Sequence, residues 1–375
     1  MLALMALQAS AQAYHYDVNN DKQVNVTDIM LVVNKILGNT TEPEEHPLTI
    51  TVSENPLISS EASGPQQGPR RSPEVTTESL NGEFYVSWMY KWTDPTGTSF
   101  QYPSESDNTL YTYQHEEGDS PNYYETSYSW PSGLDSGTGA NTKLTVFGFN
   151  DGEFNADITN GKPYLFVVKD EQSNHQTDLI VAKNTLSWNE SDHGNVPLQF
   201  NHVCSAFQFY IMKSEGMKDY FIDVSKVVLH NIKKQGRYYL MSDEWSFSNE
   251  DQEELYTNYT LKEYGNSGYM SLSAEKSLLN INDKDYLFII PQTITSMAKG
   301  TSIAEANNQS YIEISCSITK DNQRWPASGF GSVYLPFNPT FRNTEGKMEP
   351  GYIYPIIISV GTSIRDANGN PITLQ

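Results

Sequence analysis

In the stretch "YDVNNDKQVNVTDIMLVVNKILGN", Tyr16 to Asn39, acidic and amide side chains stand on alternate residues before the pattern changes to helical spacing. Asp17, Asn19 and Asp21 occupy positions 1, 3 and 5 of a calcium-loop pattern, Gln23 stands where a backbone carbonyl binds, and Asn25 and Asp28 fall at positions 9 and 12. A hard divalent cation prefers oxygen ligands, and an alternating loop can fold its odd-numbered side chains around one point. The chemistry this suits is coordination of Ca2+ rather than zinc, with Asp17, Asn19, Asp21, Gln23 and Asp28 as the expected ligands. Carboxylates gathered there without a cation would repel one another. The element that must hold the loop follows at once: Ile29, Val32, Val33, Ile36 and Leu37 draw one apolar stripe along a helix, and Gly38 with Asn39 stops it. Lys22 stands where glycine is expected at position 6, which costs roughly 1 kcal/mol in a left-handed backbone. The plainer alternative is a solvated acidic loop capping a short helix. The sequon Asn25-Val26-Thr27, lodged inside the ligand loop, reads as accidental.

An aspartate at position 12 and a loop running straight into a helix that ends "ILGN" resemble one repeat of a type I dockerin. The resemblance implies calcium as cofactor and a cohesin-like docking partner. Such modules usually carry two repeats, and a second is not found in this chain.

The rest of the chain must be judged from bulk properties first. At 375 residues it exceeds one ordinary core, which predicts two domains plus appendages. With 46 acidic against 24 basic residues the net charge is −22, which repels nucleic acid and anionic lipid and excludes nucleic acid as a partner. Tyrosine is abundant at 24 residues, and aromatics pack well on half-buried pleated surfaces. The opening "MLALMALQASAQAY" reads as a signal-peptide remnant over residues 1–13, too short to span a bilayer; no later segment has the length of a transmembrane helix. Cys204 and Cys316 each lie in an alternating run and read as core thiols, with a mutual disulfide as the alternative.

Along the chain, the loop and helix occupy 14–39, a polar, proline-punctuated linker follows at 40–46, and strands begin at 47. The Ser/Pro/Gly-rich run "SENPLISSEASGPQQGPRRSPEVTTES" reads as a long exposed loop, with Arg70-Arg71 either solvated or a site for a trypsin-like protease. From Glu83, Phe84, Val86, Trp88, Tyr90 and Trp92 share one face while Ser87, Lys91 and Thr93 share the other. Further strands are expected at Leu110–Gln114, Tyr123–Trp130, Lys143–Phe149, Tyr164–Val168 and Asp178–Ala182, and after the turn-forming "SWNESDHGN" at Val196–Phe200, Cys204–Met212, Val224–Ile232, Arg237–Met241, Tyr269–Ser273, Tyr286–Ile290, Tyr311–Thr319, Ser332–Phe337 and Tyr352–Val360. Glycine and aspartate turns between short strands, with almost no helical periodicity, argue for β-sandwiches spanning 47–186 and 187–375.

The ordered segments "TDLIVAKNTLSWNESDHGNVPLQFNHVCSAFQFYI", "VVLHNIKKQGRYYL", "DYLFIIPQTI" and "EPGYIYPIIISVG" resemble the fimbrillin-like family of Bacteroidetes surface proteins. Phe200 and His202 match its second-domain opening, Pro291 and Gln292 its Ile-Pro-Gln strand end, and Pro350, Gly351 and Tyr354 its final strand. The resemblance implies a mainly β fold of two tandem transthyretin-like Greek-key β-sandwich domains. It also implies a non-enzymatic role at the cell surface, outer membrane or in extracellular fimbriae, with other fimbrial subunits or a second copy as partners by strand exchange. Physically, one chain supplies a strand to an exposed sheet edge of the next. The chain lacks a cysteine just after the signal-like run and carries the calcium module in that place.

Known catalytic signatures are absent: no G-x-S-x-G elbow, H-E-x-x-H helix, P-loop or Rossmann fingerprint. His202 reads as structural, and His193, His202 and Cys204 lack zinc spacing. Trp88, Trp92, Trp130, Trp188, Trp245 and Trp325 are either core residues or platforms for a host or glycan ligand. The second reading makes the chain a carbohydrate-binding module or a component of a polysaccharide-degrading enzyme.

Overall fold

The computed structural model describes residues 47–53, 70–71, 83–94, 97–102, 110–112, 123–131, 133–134, 139–169, 178–191, 194–247, 255–265, 268–279, 286–339, 341 and 348–374. The expected calcium set Asp17, Asn19, Asp21, Gln23 and Asp28, the signal-like run and the linker lie outside the described residues.

The N-terminal half supplies β1 (Pro47–Ser53), β2 (Arg70–Arg71), β3 (Glu83–Asp94), β4 (Gly97–Gln101), β5 (Leu110–Thr112), β6 (Tyr123–Ser129), β7 (Leu144–Phe149), β8 (Glu153–Asn155), β9 (Tyr164–Val168), β10 (Ile180–Leu186), β11 (Asn195–Gln199) and β12 (Asn201–His202). Three layers form here. A sheet ordered β11-β1-β6 covers one face of a sheet ordered β12-β10-β7-β3-β4, and β9 with β8 belongs to a third sheet over the opposite face. That third sheet is completed by β15 (Gln235–Tyr239) and β16 (Glu244–Ser246), in the order β16-β15-β9-β8.

The middle position of the second sheet explains β7, where all six residues, Leu144 to Phe149, are buried. A strand covered on both faces reads as a continuous run instead of alternating. The same reason explains why the second face of β3 is also covered: Ser87 is fully buried and Met89 nearly so. Phe84 and Val86 pack with Leu48, Ile50 and Leu198 in one core, whereas Met89 and Phe149 pack with Leu165, Val167 and Tyr238 in the other. Each buried Leu or Val side chain contributes about 1.5–3 kcal/mol to holding the layers together. Gly148 is required where the layers close, since a Cβ there would sit 2.7 Å from the Phe200 ring and 2.9 Å from Leu198.

The second sandwich is built from β13 (Ser205–Lys213), β14 (Phe221–Lys233), β17 (Tyr256–Glu263), β18 (Met270–Ser271), β19 (Ser277–Leu278), β20 (Leu287–Ile289), β21 (Tyr311–Lys320), β22 (Gln323–Trp325), β23 (Gly331–Pro336) and β24 (Tyr352–Val360). One sheet runs β19-β13-β24-β2, with β20 also on β13; the other runs β17-β14-β21-β22, with β18 on β14 and β23 on β21. Phe207, Phe209 and Ile211 of β13 face Val224, Val227, Ile314 and Cys316 across a single core. Register shifts in β14 bend this 13-residue strand; at one of them Asn231 has φ +60°, and its amide donates to Asn258 Oδ1 at 3.1 Å.

The halves interlock in sequence. β11 pairs in parallel with β1 from Thr49↔Asn195 to Ser53↔Gln199, and β15 pairs with β9, so residues after Ser187 contribute strands to the N-terminal layers. β2 crosses the other way and joins the C-terminal sheet.

Candidate interaction surfaces

Arg70 and Arg71 do not stand alone in a loop. They form β2, antiparallel to the start of β24, with Arg70 opposite Ile353 and Arg71 opposite Tyr352. On its other side β24 pairs in parallel with β13 from Ala206↔Ile353 to Lys213↔Val360. Beyond the two residues covered by β2, no strand among the described residues pairs with the outer edge of β24 over 354–360. Pro355 lies on this stretch. A proline has no N–H to give, which suits an edge strand and interrupts any added ladder at that point. Tyr354 and Ile358 are anchored in the core while Ile357 is 45 % exposed, so the strand is fixed by one face.

The segment around β12 is held by side-chain and backbone bonds. The His202 Nδ1 and Asp178 Oδ2 atoms pair beside β12, Trp245 Nε1 donates to the Val203 carbonyl at 2.9 Å, and Gly351 N donates to the Cys204 carbonyl at 2.7 Å. His202 therefore ties the ends of two strands, as a structural residue does. Burial pushes the Cys204 thiol up and the Cys316 thiol to about 12; both cysteines are free and buried, without a disulfide. Neither thiol is a poised nucleophile.

The outer face of the β14–β21 sheet is polar. His230 Nε2 pairs with Glu313 Oε2 at 2.9 Å, Ser332 Oγ donates to Glu313 Oε1 at 2.6 Å, and the imidazole stacks on Tyr311 at 4.5 Å between centroids. The hydrogen bond from His230 holds the Glu313 carboxyl below its ordinary value, burial opposing it. Serine and histidine both bind the carboxylate and are not bonded to each other, so this is a strut across β14, β21 and β23 and not a relay for a nucleophile.

The tryptophans sort into the cores. Trp130 is buried, its Nε1 donating to the Gly194 carbonyl at 3.0 Å, with Trp188 edge-on at 5.4 Å. Trp88 and Trp188 pack on the first core, Trp245 on the second and Trp325 on the C-terminal one; the Trp92 side chain lies outside the description. Among the described residues the exposed rings are Phe221, Tyr269 and Phe330, at 75 %, 54 % and 40 %. The sequence marked tryptophans for their size, but size alone draws a ring into a core. What marks the exposed rings is their place in outward-facing or turn positions, which requires the strand register.

No helix among the described residues is long and apolar enough to cross a membrane. A family model described as "Fimbrillin-like" matches residues 96–370, and one described as "Dockerin type I domain" matches residues 15–50. Among solved structures, the chain is similar to a fimbrial protein of Bacteroides vulgatus at 14 % identity, covering 85 % of this chain and 98 % of that one with a TM-score of 0.48. It is also similar to a fimbrilin of Porphyromonas gingivalis at 11 % identity, covering 88 % and 94 % with a TM-score of 0.37. A search of curated proteins finds no match. The first family model spans well over half of the chain, and on that match the chain belongs to the fimbrillin-like family.

Proposed function

We propose that the chain is an exported fimbrial subunit of the bacterial surface whose role is structural and adhesive rather than catalytic, and that copies join by strand exchange at the outer edge of β24. The observation that carries this reading is the two-residue cover of that edge by Arg70–Arg71, with 354–360 unpaired beside it among the described residues. A strand laid along the edge gains main-chain hydrogen bonds, and exposed Ile357 offers it an apolar contact. A trypsin-like cut after Arg71 would separate β2 from the chain that follows and free the start of the edge. Such a cut in the intact chain, followed by light scattering, tests the reading: subunits should associate into multiples, and an Arg70→Gln/Arg71→Gln variant should stay monomeric under the same protease.

The match over residues 15–50 supports a calcium-dependent docking segment in front of this body. Within it we assign Asp17, Asn19, Asp21, Gln23 and Asp28 as the ligands, for the spacing reasons above, with a cohesin-like protein as the partner.

A further inference from the structure

We infer that the outer face of the β14–β21–β22 sheet is a saccharide-binding site, with Tyr269 and Phe330 as the stacking rings and Asp223 and Arg324 as the hydroxyl-binding groups. This deepens the adhesive reading above and does not depend on strand exchange.

The register builds the face. Ile222, Val224, Cys316 and Ile318 point into the core, so Phe221, Asp223, Ser317 and Thr319, one residue out of phase, point outward. Asp223 lies opposite Ser317, Phe221 opposite Thr319, and Thr319 opposite Arg324 of β22. Tyr269, just before β18, and Phe330, just before β23, bring their rings to 6.3 Å across the end of this polar row. Together with Tyr264 they bound a cleft of ≈ 560 Å³, within the range of small-ligand sites. Every aromatic ring that is exposed among the described residues, Phe221, Tyr269 and Phe330, borders this one face.

The polar groups are incompletely used. Asp223 Oδ1 accepts from Ser271 Oγ at 2.5 Å, while Oδ2 has no partner among the described residues. Arg324 Nη2 donates to the Gly329 carbonyl at 2.9 Å, but its Nε is buried without a partner, and no carboxylate pairs with the guanidinium among the described residues.

A pyranose ring meets this combination. Its axial C–H groups form an apolar face that packs on an aromatic ring, and its vicinal hydroxyls both donate and accept. A free carboxylate oxygen accepts from one hydroxyl and a guanidinium N–H donates to its neighbour, each as a charge-assisted bond. A lone carboxylate is too few ligands for a cation, the neighbouring Asp223 disfavours an isolated anion, and the backbone of a central strand such as β14 offers no free ladder to a peptide.

The test is affinity electrophoresis of the intact monomeric protein in gels containing xylan, mannan, starch, arabinogalactan or gastric mucin, beside Tyr269→Ala, Phe330→Ala and Asp223→Asn. The inference expects retardation by at least one of these, weakened about tenfold or more by each ring truncation, with melting temperatures unchanged because both rings are exposed. No retardation by any of them overturns it. So does retardation that survives all three substitutions, or mucin binding that persists after the glycans are stripped. Each outcome is read on the monomer, so failure to polymerise and failure to bind sugar remain separate results.

Discussion

Gln292, at the end of the Ile-Pro-Gln segment, is 5 % exposed, and its side chain substitutes for a missing piece of ladder. Its Oε1 accepts from Lys233 N at 2.9 Å, and its Nε2 donates to the Lys233 carbonyl at 3.0 Å and to the Ile290 carbonyl at 3.1 Å. Thus the last residue of β14 is bonded on both its backbone groups to one side chain. Gln292→Leu keeps nearly the same volume, so the cost isolates the polar term: three hydrogen bonds at about 1 kcal/mol each, leaving those backbone groups short of partners, predict a loss of about 3 kcal/mol. For a sandwich of this size that corresponds to a fall in Tm of about 6–12 °C. Gln292→Glu should be worse at neutral pH, because a carboxylate would face the two carbonyl oxygens. Its folded-state pKa would be raised, so its stability should decline as pH rises above the unfolded value of about 4.3. Urea unfolding followed by circular dichroism, with hydrogen exchange read at β14 and β21, measures both. A loss below about 1 kcal/mol in Gln292→Leu, or Gln292→Glu as stable as the parent at neutral pH, refutes the reasoning.

Other outcomes follow from the same structure. Gly148→Val should destabilise the N-terminal layers by about 2 kcal/mol or more, because its side chain must displace Phe200 and Leu198; thermal melting reads it. Trp130→Ala should cost about 3–5 kcal/mol by emptying the space beside Trp188 and orphaning the Gly194 carbonyl, again read in denaturant. Because the His230 bond lowers the Glu313 carboxyl in the folded state, that contribution is present above its ordinary value of 4.5 and lost as pH falls through the depressed one. Melting temperatures of Glu313→Gln and the parent should therefore converge on acidification. Asp17→Ala and Asp21→Ala should each abolish the calcium heat that the parent gives in titration calorimetry.

Much of the fold was legible because the signal is local. Tyr311–Lys320 alternates Ile312, Ile314, Cys316 and Ile318 inward against Glu313 and Ser315, and period 2 requires no knowledge of partners. Tyr256–Glu263 carries the same signal, with Thr257, Tyr259 and Leu261 buried, yet it was missed because its polar threonine, asparagine and lysine content hides the alternation. The third layer was not legible at all. Whether Ser87 faces solvent or a neighbouring sheet depends on β15 and β16, about 150 residues away, returning to pair with β9. The edge of β24 was half legible. Its sequence matched a final strand, but the β2 cover rests on two arginines inside a run whose composition spells loop. For the tryptophans the sequence leaves both a core and a platform reading open, and the register, which sets the described ones against the cores, also decides which rings reach water.

The measurement that bears most directly on the central claim is hydrogen exchange at 354–360 before and after a cut at Arg71, paired with mass by light scattering. Strand exchange predicts that these outer-edge amides exchange readily in the monomer and become protected in step with growth into multiples. Protected amides in the monomer, or cut subunits that remain monomeric with the edge still exchanging, would contradict it.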